Sequence, residues 1–278
     1  MAEIETRRAD IRALRGVHLF HFEMSNCSQR VRLALEEKGV KWASHSVNLT
    51  KNEHLTPEFH ALNPAGVVPV LVHDGRTITE SNDIIDHINT HFAGPPLKPT
   101  SDADVAFLEE TLARSSAIQG SLKLVSHEFL FKPTRRMTPA QLDTFAQNCS
   151  DPALAQFMRD LNAPGSFGEA RIRAAVDDVV QALVALDARL ESREWLSGDQ
   201  FGLADISWFV NIHRLAAMDY PLKRHMRLAD WYRRMKARPS YAVAIARNQP
   251  RTVITFFAIY SMIRRLRGTS IHRYLDRR

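Results

Sequence analysis

The first third of the chain alternates between short apolar runs typical of strands and one-sided runs typical of helices. Val17 to Phe22 has the β-branched and aromatic content of a buried strand, and a second strand is predicted from Ala43 to Leu49. Between them, Arg30 to Lys38 carries apolar residues on part of one face and is followed by Gly39. Because glycine commonly follows the last turn of a helix, we predict a helix over this segment.

The alternation continues as far as residue 92. A short helix or turn is predicted from His54 to Leu62, and Val67 to Val72 is an apolar strand interrupted by a proline. Asp74-Gly75 is a strong hairpin signal before a fourth strand, Arg76 to Ile78, and a further helix opens at residues 80–82. The resulting order, β-α-β-α-β-β-α, is that of a thioredoxin-like domain, although alternation alone would also suit other α/β folds.

Beyond residue 92 the pattern becomes helical. Residues 93–101 contain three prolines in nine positions, which predicts a linker. Helical periodicity follows in 105–125 and 169–191, whereas 132–166 is richer in Pro, Asn and Asp and is assigned to loops and short helices. We therefore predict an α/β thioredoxin-like N-terminal domain and an all-α C-terminal domain. The predicted ranges are an N-terminal extension over 1–16, the α/β domain over 17–92, the linker over 93–101, the helical domain over 102–250 and a basic C-terminal extension over 251–278.

The excess positive charge is concentrated in residues 251–278. The formal net charge is +6, and this segment holds seven Arg and one Asp, so 7 − 1 accounts for the whole excess. The other 250 residues are neutral on this count. Composition therefore gives no case for a nucleic-acid-binding groove, and we predict no nucleic-acid partner.

Cysteine usage and the longest apolar run indicate the cellular setting. Cys27 and Cys149 suggest neither a disulfide framework nor a zinc motif, and the histidines show no metal-binding spacing, so we predict no metal. Residues 1–16 are too polar for a signal peptide. The apolar run over 252–263 has 12 residues, whereas a membrane-spanning helix needs about 20. We expect a cytoplasmic protein.

Three short segments carry candidate chemistry. Ser25 and Cys27 lie where a strand runs into a helix, and the N–H groups and positive dipole at a helix start favour a thiolate, although capping alone would also account for the serine. A cis bond before Pro69 would turn the backbone of Val68 towards a peptide ligand, although an edge-strand proline needs no ligand. The pair Glu80-Ser81 would hold the ammonium and carboxylate of a ligand, or would only cap a helix.

The order and spacing of these segments resemble a known family. MSNCSQRVRLALEEKGV and HLTPEFHALNPAGVVPVLVHDGRTITESNDII resemble the N-terminal domain of soluble glutathione transferases over residues 24–85. The first segment is most similar to zeta-class enzymes and to the related bacterial tetrachlorohydroquinone dehalogenases, and the second is also similar to the theta and delta classes. The resemblance extends over residues 17–247, because FGLADI, DWY and MKARPS resemble helical segments of the same family.

The resemblance implies catalytic and glutathione-binding roles. Ser25 matches the position whose hydroxyl or thiol faces the glutathione sulfur, and Cys27 matches the family's nearby cysteine. Six further residues match glutathione contacts: Lys51 and His54 at the glycyl carboxylate, Val68 and Pro69 at the cysteinyl unit, and Glu80 and Ser81 at the γ-glutamyl end.

The function that follows from the resemblance is transfer of glutathione to a small hydrophobic electrophile. A hydrogen bond from Ser25 would stabilise the thiolate, since a free thiol has a pKa near 8.5. Cys27 leaves a second chemistry open, in which a reductive dehalogenase, isomerase or ether-cleaving enzyme forms a mixed disulfide with glutathione. A non-catalytic binding module is another alternative, whereas the absence of a C-x-x-C motif argues against a glutaredoxin-like oxidoreductase. The family also implies a homodimer.

Two features of the C-terminal half yield further expectations. In FGLADI, Asp205 is expected to reach back to the N-cap, but Gly202 stands where Ser or Thr is usual, so half of the capping box is expected to be missing. Trp208, Met218 and Tyr220 would line a second-substrate pocket or pack in the helical core.

The apolar run over 252–263 is too apolar to lie free in water. We expect a helix packed on its own subunit or on a dimer partner. The alternative is a peripheral anchor, in which the apolar run and the neighbouring arginines lie on an anionic membrane surface.

Overall fold

The structure is a computed structural model that describes residues 3–6, 8–149 and 151–275. One mixed sheet is formed by five strands: β1 (Glu3–Ile4), β2 (Val17–His21), β3 (Ala43–Ser46), β4 (Val70–His73) and β5 (Arg76–Ile78). Their spatial order is β1-β5-β4-β2-β3, in which β2 and β3 are parallel and the other neighbours are antiparallel.

Outside the strands, the described residues form α-helices and short turns. They are α1 (Ala9–Arg12), α2 (Asn26–Glu37), α3 (Pro57–Leu62), α4 (Ser81–His91), α5 (Asp102–Ala117), α6 (Gln119–Ser126), α7 (Pro139–Asn148), α8 (Pro152–Asn162), α9 (Glu169–Arg189), α10 (Leu203–Ala217), α11 (Met226–Ala237), α12 (Pro239–Ala244) and α13 (Arg251–Leu266). A π-helical turn occupies His127–Phe131, and 3-10 turns occupy Glu53–Leu55, Lys132–Thr134, Leu222–Arg224, Ala246–Asn248 and Ile271–Tyr274. None of the helices described is long and apolar enough to cross a membrane.

The predicted fold class is confirmed. The order β2-α2-β3-α3-β4-β5-α4 is the thioredoxin-like order, and after α4 the described residues form helices and one isolated β-bridge, between Trp195 and Gly198. The predicted hairpin also forms, because Asp74 and Gly75 adopt φ values of 50° and 83° between β4 and β5. Positive φ at both central residues is what an Asp-Gly hairpin turn requires.

The N-terminal segment adds elements that the sequence pattern did not reveal. β1 pairs antiparallel with β5, and Arg76 holds Glu3 with two hydrogen bonds of 2.6 and 2.9 Å. Ile11 of α1 is buried in the core under the sheet, together with side chains from α3 and β4. A strand of two residues is too short to leave an alternation pattern, which is why this pairing could not be anticipated.

Helix α2 begins earlier than predicted and is buried more completely. It starts at Asn26 with Ser25 as its N-cap, not at Arg30, and every residue from Ser28 to Leu35 is buried. The expectation of one apolar face is therefore wrong, since Arg30 and Arg32 are each only 1% exposed. Buried arginines need hydrogen-bond partners, and the partners of these two define the candidate site below.

The segment 132–166 is more helical than its composition suggested. Thr138 caps α7 through a complete capping box with Gln141, and Asp151 caps α8 through the backbone N–H of Ala153. Both helices have proline in their first turn, where its missing N–H costs nothing. Two of the four prolines in this segment, Pro139 and Pro152, are therefore helix starts.

The start of α10 corrects the expectation of an incomplete cap. Asp205 reaches back to the N–H of Gly202 at 3.0 Å, as predicted, and also accepts hydrogen bonds from the N–H groups of Leu196 and Ser197. The hydroxyl expected at position 202 is supplied by Ser197, whose Oγ accepts from the N–H of Ala204 at 3.0 Å. A Cβ at Gly202 would lie 2.3 Å from the carbonyl oxygen of Leu97, so a side chain has no room there.

Contacts along the backbone divide the chain into two compact units. The first comprises Met1–Leu112, Trp195–Val210 and Arg234–Gln249, and the second comprises Ala113–Glu194, Asn211–Arg233 and Pro250–Arg278. The domain ranges predicted from the sequence stay predictions.

Helix α13 packs against its own unit along one side, in agreement with the first of the two expectations for this segment. Phe257 is 6% exposed and contacts the ring of Phe131, with ring centroids 5.5 Å apart. Arg264 binds the buried carboxylate of Glu128 at 3.0 Å, and its guanidinium lies 4.9 Å from the ring of Phe129. The part of the C-terminal extension that forms α13 is thus packed into the fold of its own unit.

Candidate functional site

Ser25 and Cys27 lie at the N-terminus of α2. Ser25 is the N-cap residue, and its Oγ accepts a hydrogen bond from the N–H of Ser28 at 3.3 Å. The cap bond uses an acceptor position of the hydroxyl, so its proton can still be donated to a ligand. Cys27 is the second residue of the helix, is half-buried and forms no disulfide. Both side chains therefore lie where the helix dipole favours a negative charge.

Hydrogen bonds from Arg32 fix the loop that precedes Ser25. The guanidinium donates to the carbonyl of Glu23 at 3.0 Å, to the carbonyl of Ala244 at 2.8 Å and to Nδ1 of His21 at 3.0 Å. Burial lowers the pKa of Arg32 to about 10, which leaves it charged at neutral pH. Burial and the nearby Arg32 lower the pKa of His21 to about 4, so a neutral imidazole accepts from Arg32 and donates from Nε2 to Ser44.

The bond between Val68 and Pro69 is cis. The Val68 side chain belongs to the core, while its backbone N–H and C=O have no hydrogen-bond partner among the described residues. Asn63, which is 3% exposed, holds the preceding loop: its side chain donates to the carbonyl of Val67 at 2.8 Å and accepts from the N–H of Ala65 at 3.2 Å. An unpaired backbone pair in an otherwise fixed loop is suited to an extended peptide ligand.

Glu80 and Ser81 form the junction between β5 and α4. Glu80 has φ 58°, which is uncommon for a residue other than glycine and is found where a site over-determines the backbone. Ser81 is the first residue of α4 and is 7% exposed. Its Oγ accepts a hydrogen bond from Nη1 of Arg30 at 2.7 Å. Since the oxygen is engaged as an acceptor, the hydroxyl proton of Ser81 can be donated to an anion at the start of α4.

Arg30 is a residue that the sequence reading missed. It lies in α2, its Nη2 donates to the carbonyl of Ser207 at 3.1 Å, and burial lowers its pKa. Cys27 and Glu80 both act on it electrostatically in the opposite direction, so this buried cation lies close to both halves of the candidate site. The available signal was an arginine inside the apolar RVRLAL run, because a charge in such a run is buried only with a partner.

The structure gives weaker support to Lys51 and His54 as contacts for a glycyl carboxylate. Lys51 lies in a turn organised by the side chain of Asn48, and its own side chain is exposed and forms no hydrogen bond or ion pair with the described residues. His54 is half-buried in a 3-10 turn, and its carbonyl oxygen would lie 3.2 Å from a Cβ at Gly66. Because Gly66 lies two residues before Val68, His54 is adjacent to the loop with the cis bond, whereas Lys51 is not tied to it.

The three candidate pocket residues of the helical part are packed in the interior. Trp208 is 1% exposed, and its Nε1 donates to the carbonyl of Thr111 at 3.0 Å. Met218 and Tyr220 are 1% and 4% exposed, and the Tyr220 hydroxyl lies 2.9 Å from Nε2 of His225. All three side chains therefore pack in the core.

Comparison with known proteins agrees with this geometry. Residues 19–96 match the glutathione S-transferase N-terminal domain, and residues 169–234 match the glutathione S-transferase C-terminal domain. The chain belongs to the glutathione S-transferase superfamily. Both the predicted family and its co-substrate, glutathione, are thereby confirmed, and the chain is a member of a family of glutathione-dependent enzymes.

Three similar proteins illustrate the range of the superfamily. The chain is 26% identical to the tetrachloro-p-hydroquinone reductive dehalogenase of Sphingobium chlorophenolicum over 82% of its own length and 95% of the relative's. The fold matches the β-etherase LigF of Sphingobium sp. strain SYK-6 with a TM-score of 0.75 at 22% identity, covering 82% of this chain and 98% of the other. It also matches a theta-class transferase of Xanthomonas axonopodis pv. citri, solved with glutathione bound, with a TM-score of 0.63 at 24% identity over 84% and 98% of the two chains.

Proposed function

We propose that this chain is a glutathione transferase that activates the thiol of glutathione at the start of α2 for attack on a small hydrophobic electrophile. The observation that carries the proposal is the buried Arg30–Ser81 pair, in which the serine oxygen at the start of α4 accepts from the guanidinium at 2.7 Å. The hydroxyl proton can then be donated to a ligand. A carboxylate bound there would meet that hydroxyl, the N–H groups of the helix and the positive field of Arg30.

The proposed binding mode places glutathione as an extended peptide along three segments. Its γ-glutamyl carboxylate would bind at Ser81 and its ammonium at Glu80. The cysteinyl unit would pair with the backbone of Val68 beside Pro69, and the glycyl carboxylate would face His54, with Lys51 as a secondary contact. The sulfur would then lie at the start of α2, where Ser25 donates to the thiolate.

The test compares Ser25 with the two cysteines. We expect Ser25→Ala and Ser25→Gly to lower kcat by about tenfold or more and to raise the pKa of bound glutathione, because a thiolate loses its hydrogen-bond donor. Glycine is included because it caps helices nearly as well as serine does, so loss of capping is controlled. Cys27→Ser is expected to be mild, and Cys149→Ser serves as its matched control outside the proposed site.

A second candidate function uses Cys27. The dehalogenase relative and the position of Cys27 at the start of α2 support it. In this chemistry the Cys27 thiolate attacks the sulfur of a glutathionyl–substrate conjugate, a disulfide forms between Cys27 and glutathione as the sulfur–carbon bond breaks, and the released carbon takes a proton. A second glutathione thiol then attacks this disulfide, which releases glutathione disulfide and frees Cys27. A large loss of turnover in Cys27→Ser, with Ser25→Ala mild and a glutathionyl mass on Cys27, would replace the first proposal by this one.

We also propose that the protein is a cytoplasmic homodimer with a role in detoxification. The support is membership of the superfamily. Glutathione binding without turnover of any electrophile in a broad panel would instead favour a non-catalytic binding module.

A further inference from the structure

Helix α13 has two different sides. One side is covered, since Phe257 and Ser261 are buried and Ser261 donates to the carbonyl of Ala217 at 3.4 Å. Arg264 on the same side binds Glu128 and also donates to the carbonyl of Thr269 at 2.9 Å. This side fixes the helix to its own unit and requires no external partner.

The opposite side is exposed and apolar. Its large side chains have relative exposures of 45% (Phe256), 49% (Ile259), 55% (Met262), 38% (Ile263) and 81% (Leu266). Each residue of an α-helix advances about 100°, so these five positions fall within an arc of about 120°. We refer to them as the α13 stripe. A continuous apolar stripe on an exposed helix marks an interaction surface, whereas isolated exposed apolar residues do not.

The charged residues of α13 itself are all basic. Helix α13 contains no Asp or Glu, and Arg251 and Arg267 are exposed at its two ends, without a carboxylate partner among the described residues. The nearby acids are already engaged: Glu128 by Arg264, and Asp219 by Arg265 at 3.3 Å and by His272 at 3.3 Å. The stripe therefore has a cationic border, and no acid among residues 151–275 is paired with Arg251 or Arg267.

This charge pattern distinguishes between possible occupants. If a second copy met the same stripe about a twofold axis, Arg251 and Arg267 of one copy would lie close to the same arginines of the other copy. Neither helix has an acid to balance these charges. An anionic bilayer presents negative headgroups on all sides of an inserted helix, and each basic residue near it contributes to binding. An amphipathic helix with an apolar face and basic flanks typically lies in the plane of such an interface.

We propose that α13 is a peripheral membrane-binding element, in which the α13 stripe inserts at the surface of an anionic phospholipid bilayer and Arg251 and Arg267 lie among the headgroups. The helix has 16 residues and is about 24 Å long, so it lies along the surface and does not span the bilayer. The buried side keeps the protein folded whether or not the membrane is present. The proposal is independent of the transferase activity.

The experiment is co-sedimentation of the full chain with vesicles. Vesicles of phosphatidylcholine mixed with phosphatidylglycerol are compared with vesicles of phosphatidylcholine alone, at low and at high salt. We expect binding to the anionic vesicles that decreases with salt and little binding to the neutral ones. Equal binding to both kinds of vesicle, or no binding to the anionic ones at low salt, would overturn the proposal.

Two matched double variants locate the surface. Ile259→Gln with Met262→Gln, both exposed, is expected to weaken vesicle binding about tenfold or more, because two apolar side chains no longer leave water. Val184→Gln with Met226→Gln removes two apolar residues that are 54% and 76% exposed elsewhere in the same unit, and is expected to bind as the unaltered chain does. Equal loss in both variants would refute the assignment to α13.

Charge and oligomeric state complete the test. Arg251→Gln with Arg267→Gln is expected to weaken binding to anionic vesicles and to reduce its salt dependence, with an unchanged thermal unfolding temperature. If the stripe variant instead converts a dimer to a monomer in light scattering, and the unaltered chain does not bind vesicles, the stripe is an interface between copies and the proposal is wrong.

Discussion

Two arginines in the interior, Arg30 and Arg32, organise the candidate site at the residue scale. Each is 1% exposed, and each donates to a backbone carbonyl, which satisfies the requirement that a buried charge be hydrogen-bonded. Arg32 holds the loop before Ser25, while Arg30 holds the hydroxyl of Ser81. Both guanidinium groups therefore keep their charge in the interior through several hydrogen bonds each.

Ser81 allows the proposed γ-glutamyl site to be tested directly. We expect Ser81→Ala to weaken glutathione binding by about 1 to 3 kcal/mol, because a charged carboxylate loses a hydroxyl donor. Isothermal titration calorimetry measures the change. Ser126→Ala is the matched control, since it removes the hydroxyl of another buried serine, in α6, and should leave affinity unchanged. Unaltered affinity in Ser81→Ala would remove this residue from the site.

At the scale of elements, the start of α10 shows how a missing cap is replaced. The family pattern has a hydroxyl residue where this chain has Gly202, and here Ser197 provides the oxygen while Asp205 closes the other half of the cap. Glycine is required because the carbonyl of Leu97 and the side chain of Ser197 occupy the space of a Cβ. In this chain the capping hydroxyl thus lies on a neighbouring segment, and the backbone at Gly202 is closely packed.

Restoring the family residue should therefore be harmful. We expect Gly202→Ser to lower the free energy of unfolding by about 1 to 3 kcal/mol, because the added Cβ forces a backbone shift in a packed interior. Urea unfolding measures the loss. The control is Gly120→Ala in α6, where a Cβ meets nothing within 4 Å and should raise stability by about 0.5 to 1 kcal/mol. A Gly202→Ser variant as stable as the unaltered chain would show that the close packing is absent.

At the scale of the whole molecule, the open question is assembly. Superfamily membership predicts a homodimer, and the cationic border of the α13 stripe argues that this stripe is not the contact between copies. The packing of α13 on its own unit is complete along one side without a second chain. We therefore expect dimerisation to survive changes in the stripe.

Light scattering after size exclusion, at micromolar concentration, should give twice the chain mass of 31.6 kDa. The Ile259→Gln, Met262→Gln variant should give the same value. A mass of 31.6 kDa for the unaltered chain would remove the dimer proposal.

The sequence alone determined the features that depend on neighbours along the chain. Strand and helix periodicity, the Asp-Gly turn and the proline before β4 predicted the thioredoxin-like order, and the spacing of the motifs indicated the family. The resemblance of FGLADI to the family's helix start placed Asp205 at its cap, and the observed capping contact spans three residues. Such contacts leave a pattern that can be read locally.

Only the tertiary structure decided the features that depend on partners far away in the chain. The hydrogen bond from Arg30 to Ser81 joins residues 51 positions apart, and the pairing of Glu3 with Arg76 joins residues 73 apart. The sequence of α13 showed an apolar run with arginines, and both packing and membrane binding were compatible with it. The fold assigns the two sides of the helix different surroundings, because burial is set by which elements meet and not by the residues of one element alone.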